Sequence, residues 1–162
     1  MFITGEYKMK KKLKLYIAHS LAHRKKIRKT QLEIEAKFNL KLVNPFYEQI
    51  REEINILDQM TCKEDKDLYK QSWSDEACQS IVEMDLKMIR HCDGLLVFLV
   101  SNEALIGTSM EMQFAHMLNM KIFIITQNYQ YHPWCRYYAT QIFSSITEFK
   151  KWCRKDGYEK KM

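Results

Sequence analysis

The sequence predicts an α/β domain with an open, doubly wound sheet of about five mainly parallel strands and helices on both faces. Short apolar strands alternate with helical patterns along the chain, and several strands are apolar on both faces. Strands of this kind are buried in parallel sheets, and right-handed crossovers place the connecting helices on both sides of the sheet. Ligands of such folds bind beyond the carboxyl ends of the strands.

Each element has its own signal. The run LKLYIA at 13–18 predicts the first strand, a helix follows over about 21–38, and LKLV at 40–43 predicts a second strand that Asn44-Pro45 ends. A helix from Ser74 to His91 leads into an apolar strand at 93–100. The remaining predicted elements are a helix at 109–119, a strand at 121–126, a short edge strand near Ile142 and a helix from Thr147.

The 162 residues predict a single domain over 1–162. Residues 1–12 form a basic extension. Residues 44–73 are charged, aromatic and irregular, with one predicted helix around 47–57, and we interpret this stretch as an insertion or lid.

Composition narrows the class of protein. The longest apolar run is far shorter than the roughly 20 residues of a membrane span, and no signal peptide is evident. Five cysteines without a CxxC pair favour a reducing cytoplasm and give no metal or cofactor motif. The net charge of +6 lies largely at the two ends, so we expect a solvated surface and no membrane or nucleic-acid partner.

Two carboxylates are candidates for catalysis. Asp85 shares a helical stripe with Ile81 and Ile89, and an inward carboxylate needs hydrogen-bond partners or a ligand nearby. Glu111 follows Gly107 in the first turn of the predicted helix, where the helix dipole favours an ionised nucleophile. The alternatives stay open: Asp85 as a satisfied structural group, and Glu111 as the last residue of a capping box from Thr108.

The predicted topology brings these groups together. The segment from Tyr16 to Ser20 and the segment from Gly107 to Glu111 end at the same sheet edge, with the Asp85 helix beside them. Two carboxylates, a phenol and a polar turn around one cleft suit cleavage of a glycosidic bond.

The residues also carry a family resemblance. The strand LYIA at 15–18, the NPF motif at 44–46, Asp85 with CDG at 92–94, and above all GTSMEMQFA at 107–115 resemble the nucleoside 2-deoxyribosyltransferase-like family. The resemblance covers roughly 13–126. It implies a flavodoxin-like fold, a nucleoside or nucleotide substrate, and a homodimer or larger assembly that shares residues between active sites. The sequence contains no Gly-rich phosphate loop and no HExxH or other metal motif, so we expect no cofactor.

The resemblance also implies roles for residues. The residue matching Glu111 attacks the anomeric carbon, the one matching Asp85 positions or protonates the base, and the one matching Tyr16 lies close to the nucleophile. Leu105 stands where transferases often have an aspartate, which favours hydrolysis over base exchange. The expected substrate-binding residues follow from the same cleft: Ala18, His19, Ser20, Asn44, Phe46, Gly107, Thr108 and Ser109.

The predicted function is therefore cleavage of the N-glycosidic bond of a (deoxy)nucleoside or its 5′-monophosphate. The alternatives are a deoxyribosyltransferase proper, a nucleotide-binding module without turnover, and a nucleic-acid-binding protein that uses the basic termini.

Overall fold

The structure is a computed structural model that describes residues 11–48, 74–100 and 106–160. The first half contains β1 (Leu13–Ala18), a 3₁₀ turn (Leu21–His23), α1 (Arg24–Lys37), β2 (Leu40–Val43) and the short α2 (Pro45–Glu48). The second half contains α3 (Asp75–Arg90), β3 (Gly94–Phe98), α4 (Ile106–Met117), β4 (Lys121–Ile125), α5 (Pro133–Tyr138), β5 (Gln141–Phe143) and α6 (Ile146–Lys155).

The five strands form one parallel sheet in the order β2-β1-β3-β4-β5. Tyr16 of the interior strand β1 is paired with Val43 of β2 on one side and with Leu95 of β3 on the other. The order reverses between β1 and β3, as in flavodoxin-like folds, so the loops after these two strands flank a crevice. The predicted fold class is confirmed.

Helices cover both faces, and alternation along β1 decides which side chains meet which helices. Leu15 and Ile17 face a core that they share with Ile34 of α1 and Phe149 of α6. Tyr16 and Ala18 face the opposite core, which contains Ile89, Met112 and Ala115 of α3 and α4. Because side chains of a strand alternate between its faces, Tyr16 points toward α3 and α4.

Local signals explain several helix boundaries. Ser74 accepts a hydrogen bond from the Ala77 amide and begins α3, and Ser145 does the same for α6 through Glu148. At the end of α4, Asn119 takes a left-handed conformation with φ of 55°, and the Met120 amide donates to Ala115. Asparagine tolerates this conformation better than most residues, so it ends the helix cleanly.

One expectation from the sequence was wrong in detail, because helix α4 begins at Ile106 rather than near Ser109. The short helix α5, which begins at Pro133, was not predicted. The predicted insertion at 44–73 is described only as far as Glu48, and the rest lies outside the described residues.

Within the described ranges, no helix combines the length and the apolar character that crossing a membrane requires.

Gly94 and Gly107 give a matched test of packing. A Cβ at Gly94 would lie 2.5 Å from the Lys121 carbonyl oxygen of β4, whereas a Cβ at Gly107 meets nothing within 4 Å. We expect Gly94→Ala to lower the free energy of unfolding by about 1–3 kcal/mol and Gly107→Ala to leave it unchanged or raise it by up to ~1 kcal/mol. Urea denaturation of both variants tests this, and equal stabilities would show that β3 and β4 are not this close.

Candidate active site

The site is built around Tyr16, whose side chain is fully buried on β1. Its hydroxyl donates a hydrogen bond of 2.6 Å to Oε1 of Glu111 on α4. The two residues are 95 positions apart in the chain, so the contact joins the sheet to the helix. A buried phenol requires a hydrogen-bond partner, and here the partner is a carboxylate.

Glu111 lies in the second turn of α4, because the helix begins five residues earlier at Ile106. Thr108 is inside the helix and 4% exposed, so it does not occupy the N-cap position that a capping box requires. The capping alternative for Glu111 is therefore wrong. Its carboxylate is turned into the domain toward Tyr16.

Asp85 approaches the same phenol from α3, which packs against α4. It is half-buried and lies one turn before Ile89, which is fully buried. Burial raises the pKa of Asp85 to about 6, and the hydrogen-bonding interaction with Tyr16 opposes the rise. The structure thus brings all three predicted catalytic residues together.

The electrostatics of this triad follow from burial. Burial raises the pKa of Glu111 to about 8; the hydrogen bond from Tyr16 lowers it and the charge of Asp85 raises it. Burial, followed by the two carboxylates, raises the pKa of Tyr16 well above 10, so the phenol stays protonated and acts as a donor. Burial therefore favours the protonated form of both carboxyls, and more strongly for Glu111 than for Asp85. Two carboxyls with separated pKa values suit acid and nucleophile roles.

A second cluster lies where β1 and β2 end. His19 Nδ1 is 2.9 Å from the Ser20 carbonyl oxygen, and its Nε2 is 3.3 Å from Oδ1 of Asn44. The His19 ring packs on Phe46 with 4.9 Å between centroids. Burial lowers the pKa of His19. Both ring nitrogens face acceptor oxygens, and a neutral imidazole donates to only one of them. The contacts with Asn44 and Phe46 join His19 to the segment that follows β2.

Sequence reasoning missed two members of this cluster. Gln31 is buried and donates through Nε2 to the Leu42 carbonyl, while its Oε1 accepts from Asn44 and from Arg28. The guanidinium of Arg28 also lies 4.9 Å above the Tyr47 ring. The signal was present, because Gln31 falls between Ile27 and Ile34 on the inward stripe of α1.

The other predicted binding residues lie in different parts of the structure. Ala18 and Ser20 are buried beside His19, and the Ser20 hydroxyl accepts from the Ala22 amide. Gly107 is exposed on the first turn of α4. Ser109 lines a cavity on the side of α4 away from Glu111. Leu105 and residues 49–73 of the predicted lid lie outside the described residues.

Among the residues that the structure describes, no group of three or more His, Cys, Asp or Glu side chains is arranged to hold a metal ion.

Comparison with known proteins agrees with this architecture. The chain matches the family model for nucleoside 2-deoxyribosyltransferase over residues 15–158. The 2-deoxyribosyltransferase from Bacillus psychrosaccharolyticus has a similar structure, with a TM-score of 0.61, 13% identity, and coverage of 92% of this chain and 98% of that one. A conserved protein from Enterococcus faecalis V583 aligns with a TM-score of 0.56, 11% identity and coverage of 89% and 98%. No curated protein sequence matches the chain.

The fold and the site define an α/β enzyme in which two half-buried carboxylates lie against a buried tyrosine of a parallel sheet. Since the family model spans most of its length, the chain belongs to the nucleoside 2-deoxyribosyltransferase family. It is an enzyme of that kind, whose chemistry is glycosyl transfer or N-glycosidic cleavage on nucleosides or nucleotides.

The raised pKa of Glu111 predicts a specific pH dependence of stability. Between the ordinary value of 4.5 and about 8 the folded state holds a proton that the unfolded state has lost, so the free energy of unfolding falls as pH rises through this range. Glu111→Gln keeps an oxygen for Tyr16 but cannot ionise. We expect it to stabilise the protein by at least about 1 kcal/mol more at pH 8 than at pH 5, or ~2–4 °C in Tm.

The matched control is Glu83→Gln, which changes an exposed acid of α3. Thermal melts of the three proteins across pH 5–8 give the comparison. If wild type and Glu111→Gln showed parallel pH dependence, Glu111 would not be the buried acid described above.

Proposed function

We propose that this enzyme hydrolyses the N-glycosidic bond of a (deoxy)nucleoside or its 5′-monophosphate, with Glu111 as the nucleophile, and that hydrolysis exceeds base exchange. The observation that carries the proposal is the hydrogen bond of 2.6 Å from the buried Tyr16 hydroxyl to Oε1 of Glu111, with Asp85 against the same phenol. The bond occupies one carboxylate oxygen and fixes its plane, so that Oε2 is the oxygen that attacks.

In the first step, Glu111 Oε2 forms a bond to the anomeric carbon as the bond from that carbon to the base nitrogen breaks. The electron pair leaves with the base, and the proton on Asp85 moves to it. The proposal gives the pair one proton, and attack begins when that proton passes from Glu111, where burial favours it more, to Asp85. This division of roles matches general acid and nucleophile in retaining glycosidases.

In the second step, a water oxygen bonds to the anomeric carbon and the ester bond to Glu111 breaks. Asp85, now ionised, takes the proton from the water, and the single proton of the pair is restored. The products are the free base and the sugar or its phosphate. If a second base attacks in place of water, the reaction is base exchange. This is the alternative to hydrolysis, and the similar protein from Bacillus psychrosaccharolyticus is a 2-deoxyribosyltransferase.

The remaining predicted residues frame the substrate in this proposal. One side of the substrate site is formed at the ends of β1 and β2, where His19 contacts both Asn44 and Phe46. Near Ser20, the first turn of α1 has no acidic residue and begins with Arg24 and Lys25, which suits a phosphate at a helix N-terminus. The expected homo-oligomer stays a prediction.

Removing the nucleophile gives the first test. We expect Glu111→Ala to reduce base release from deoxynucleosides and their monophosphates by at least about 10³-fold, because the substitution removes the attacking oxygen of the proposed mechanism. The fold should persist, since Glu111 does not cap α4. Chromatography of released base measures the effect, with Glu83→Ala as the control.

Asp85→Asn belongs to the same test, because it keeps size and removes proton transfer. It should lower turnover by a factor of about 10²–10⁴ with thermal stability maintained or slightly raised. A folded Glu111→Ala protein with full activity would falsify the nucleophile assignment. A nucleotide-binding module would bind monophosphates with no base release in the wild type.

Hydrolysis of the monophosphate is the second functional prediction. Leu105 replaces the carboxylate that would anchor an incoming base, and the basic start of α1 favours a phosphate whose binding energy helps to distort the sugar. We expect a deoxynucleoside 5′-monophosphate to be cleaved with at least about tenfold higher kcat/KM than the nucleoside. Free sugar phosphate should accumulate faster than new nucleotide.

Equal amounts of both substrates are incubated with a labelled acceptor base, and the products are separated. Preference for the unphosphorylated substrate, together with label entering new nucleoside faster than sugar appears, would favour the transferase instead.

A further inference from the structure

A cavity of about 370 Å³ lies between α4 and the segment that runs from the loop after β4 into α5; we call it the α4–α5 cavity. Helix α4 contributes Ser109, Met112 and Gln113 to its wall. Successive helical residues are turned by ~100°, so Glu111 lies on the opposite side of α4 from Ser109 and Gln113. The helix therefore separates this cavity from the two carboxylates.

Aromatic rings make up much of the wall. Tyr129 comes from the loop after β4, and Trp134 and Tyr138 come from α5. The Trp134 and Tyr138 rings are stacked, with centroids 5.8 Å apart and planes at 28°. Trp134 remains 62% exposed, so one indole face is open to a further ring. Stacked aromatic side chains of this kind bind flat rings and nucleobases.

The wall has the polarity of a site for a neutral heterocycle. No Lys, Arg, Asp or Glu is among the residues lining the cavity in the described part of the chain. Burial raises the pKa of the Cys135 thiol, which keeps this wall residue uncharged. Ser109, Gln113 and His132 provide a hydroxyl, an amide and an imidazole for the polar edge of a ring. The volume is within the range of small-molecule sites.

We propose that the α4–α5 cavity is a second binding site, separate from the carboxylates, for a neutral planar heteroaromatic ring such as a free nucleobase. The choice of a nucleobase rests on the proposed function, in which a free base is released. Met112 lines the cavity and directly follows Glu111 in α4, so an occupant and the nucleophile are held by the same helix.

Methyl NMR of the wild-type protein, labelled at its methionine methyl groups, tests the proposal with adenine or cytosine and no substrate. We expect shifts at Met110 and Met112, which line the cavity, larger than those at Met84 and Met88 on α3. Ribose 5-phosphate, which has charge and no aromatic ring, should leave Met110 and Met112 unchanged.

Trp134→Leu should weaken base binding at least about tenfold, which corresponds to ~1.4 kcal/mol of lost stacking. The matched control is Tyr131→Leu, because Tyr131 is 84% exposed and does not line the cavity; its affinity should equal that of the wild type. Shifts confined to Met84 and Met88, or an unchanged affinity in Trp134→Leu, would overturn the proposal.

The cavity has one other occupant to exclude, a second copy of the chain. Sedimentation velocity on Trp134→Leu separates the two: loss of self-association, combined with no base-induced shift at Met110 or Met112, would assign this face to an interface and overturn the proposal. Failure of the proposed function is distinguishable, since base binding here needs no turnover. Glu111→Ala should bind adenine at Met110 and Met112 with wild-type affinity.

Discussion

The burial of the Tyr16 hydroxyl on an interior strand is the constraint around which the site is arranged. The register of β1 between β2 and β3 fixes its side chain toward α3 and α4. A phenol in that position needs an acceptor, and Glu111 supplies it at 2.6 Å. A carboxylate taken out of water loses the hydrogen bonds that stabilise its charge. The Tyr16 hydroxyl replaces one of them, because its raised pKa keeps it protonated and able to donate.

The sequence predicted the sheet well because its strands are apolar runs bounded by polar residues. Leu13–Ala18 and Leu40–Val43 match their predicted bounds, and the parallel order then brought Tyr16, Asp85 and Glu111 together. The start of α4 was not predictable in the same way. Thr108-Ser109 imitates a capping signal, but helix boundaries depend on tertiary packing as well as on local sequence. Helix α5 is only six residues long, too short for a periodic pattern.

The hydrogen bonds that connect Gln31, Asn44 and His19 could not be predicted from the sequence pattern. The Leu42 carbonyl requires a donor, so Gln31 turns its Nε2 to it and its Oε1 to Asn44. Asn44 then directs Oδ1 to the Phe46 amide and to His19. Backbone groups thus fix the orientation of every amide in the chain of contacts. Such donor and acceptor matching is satisfied only once β1, β2 and α1 are assembled.

The separated pKa values of Asp85 and Glu111 bear on the order of events in the proposed reaction. Burial favours the protonated form of both, and it does so more for Glu111. Positive charge that develops at the anomeric carbon stabilises the nearer carboxylate most, which in this proposal is Glu111. Bond breaking therefore favours movement of the shared proton from Glu111 to Asp85, where the departing base receives it. In this proposal Glu111 becomes ionised only as the transition state is approached. Asp85 and Glu111 therefore need not both be ionised before the reaction begins.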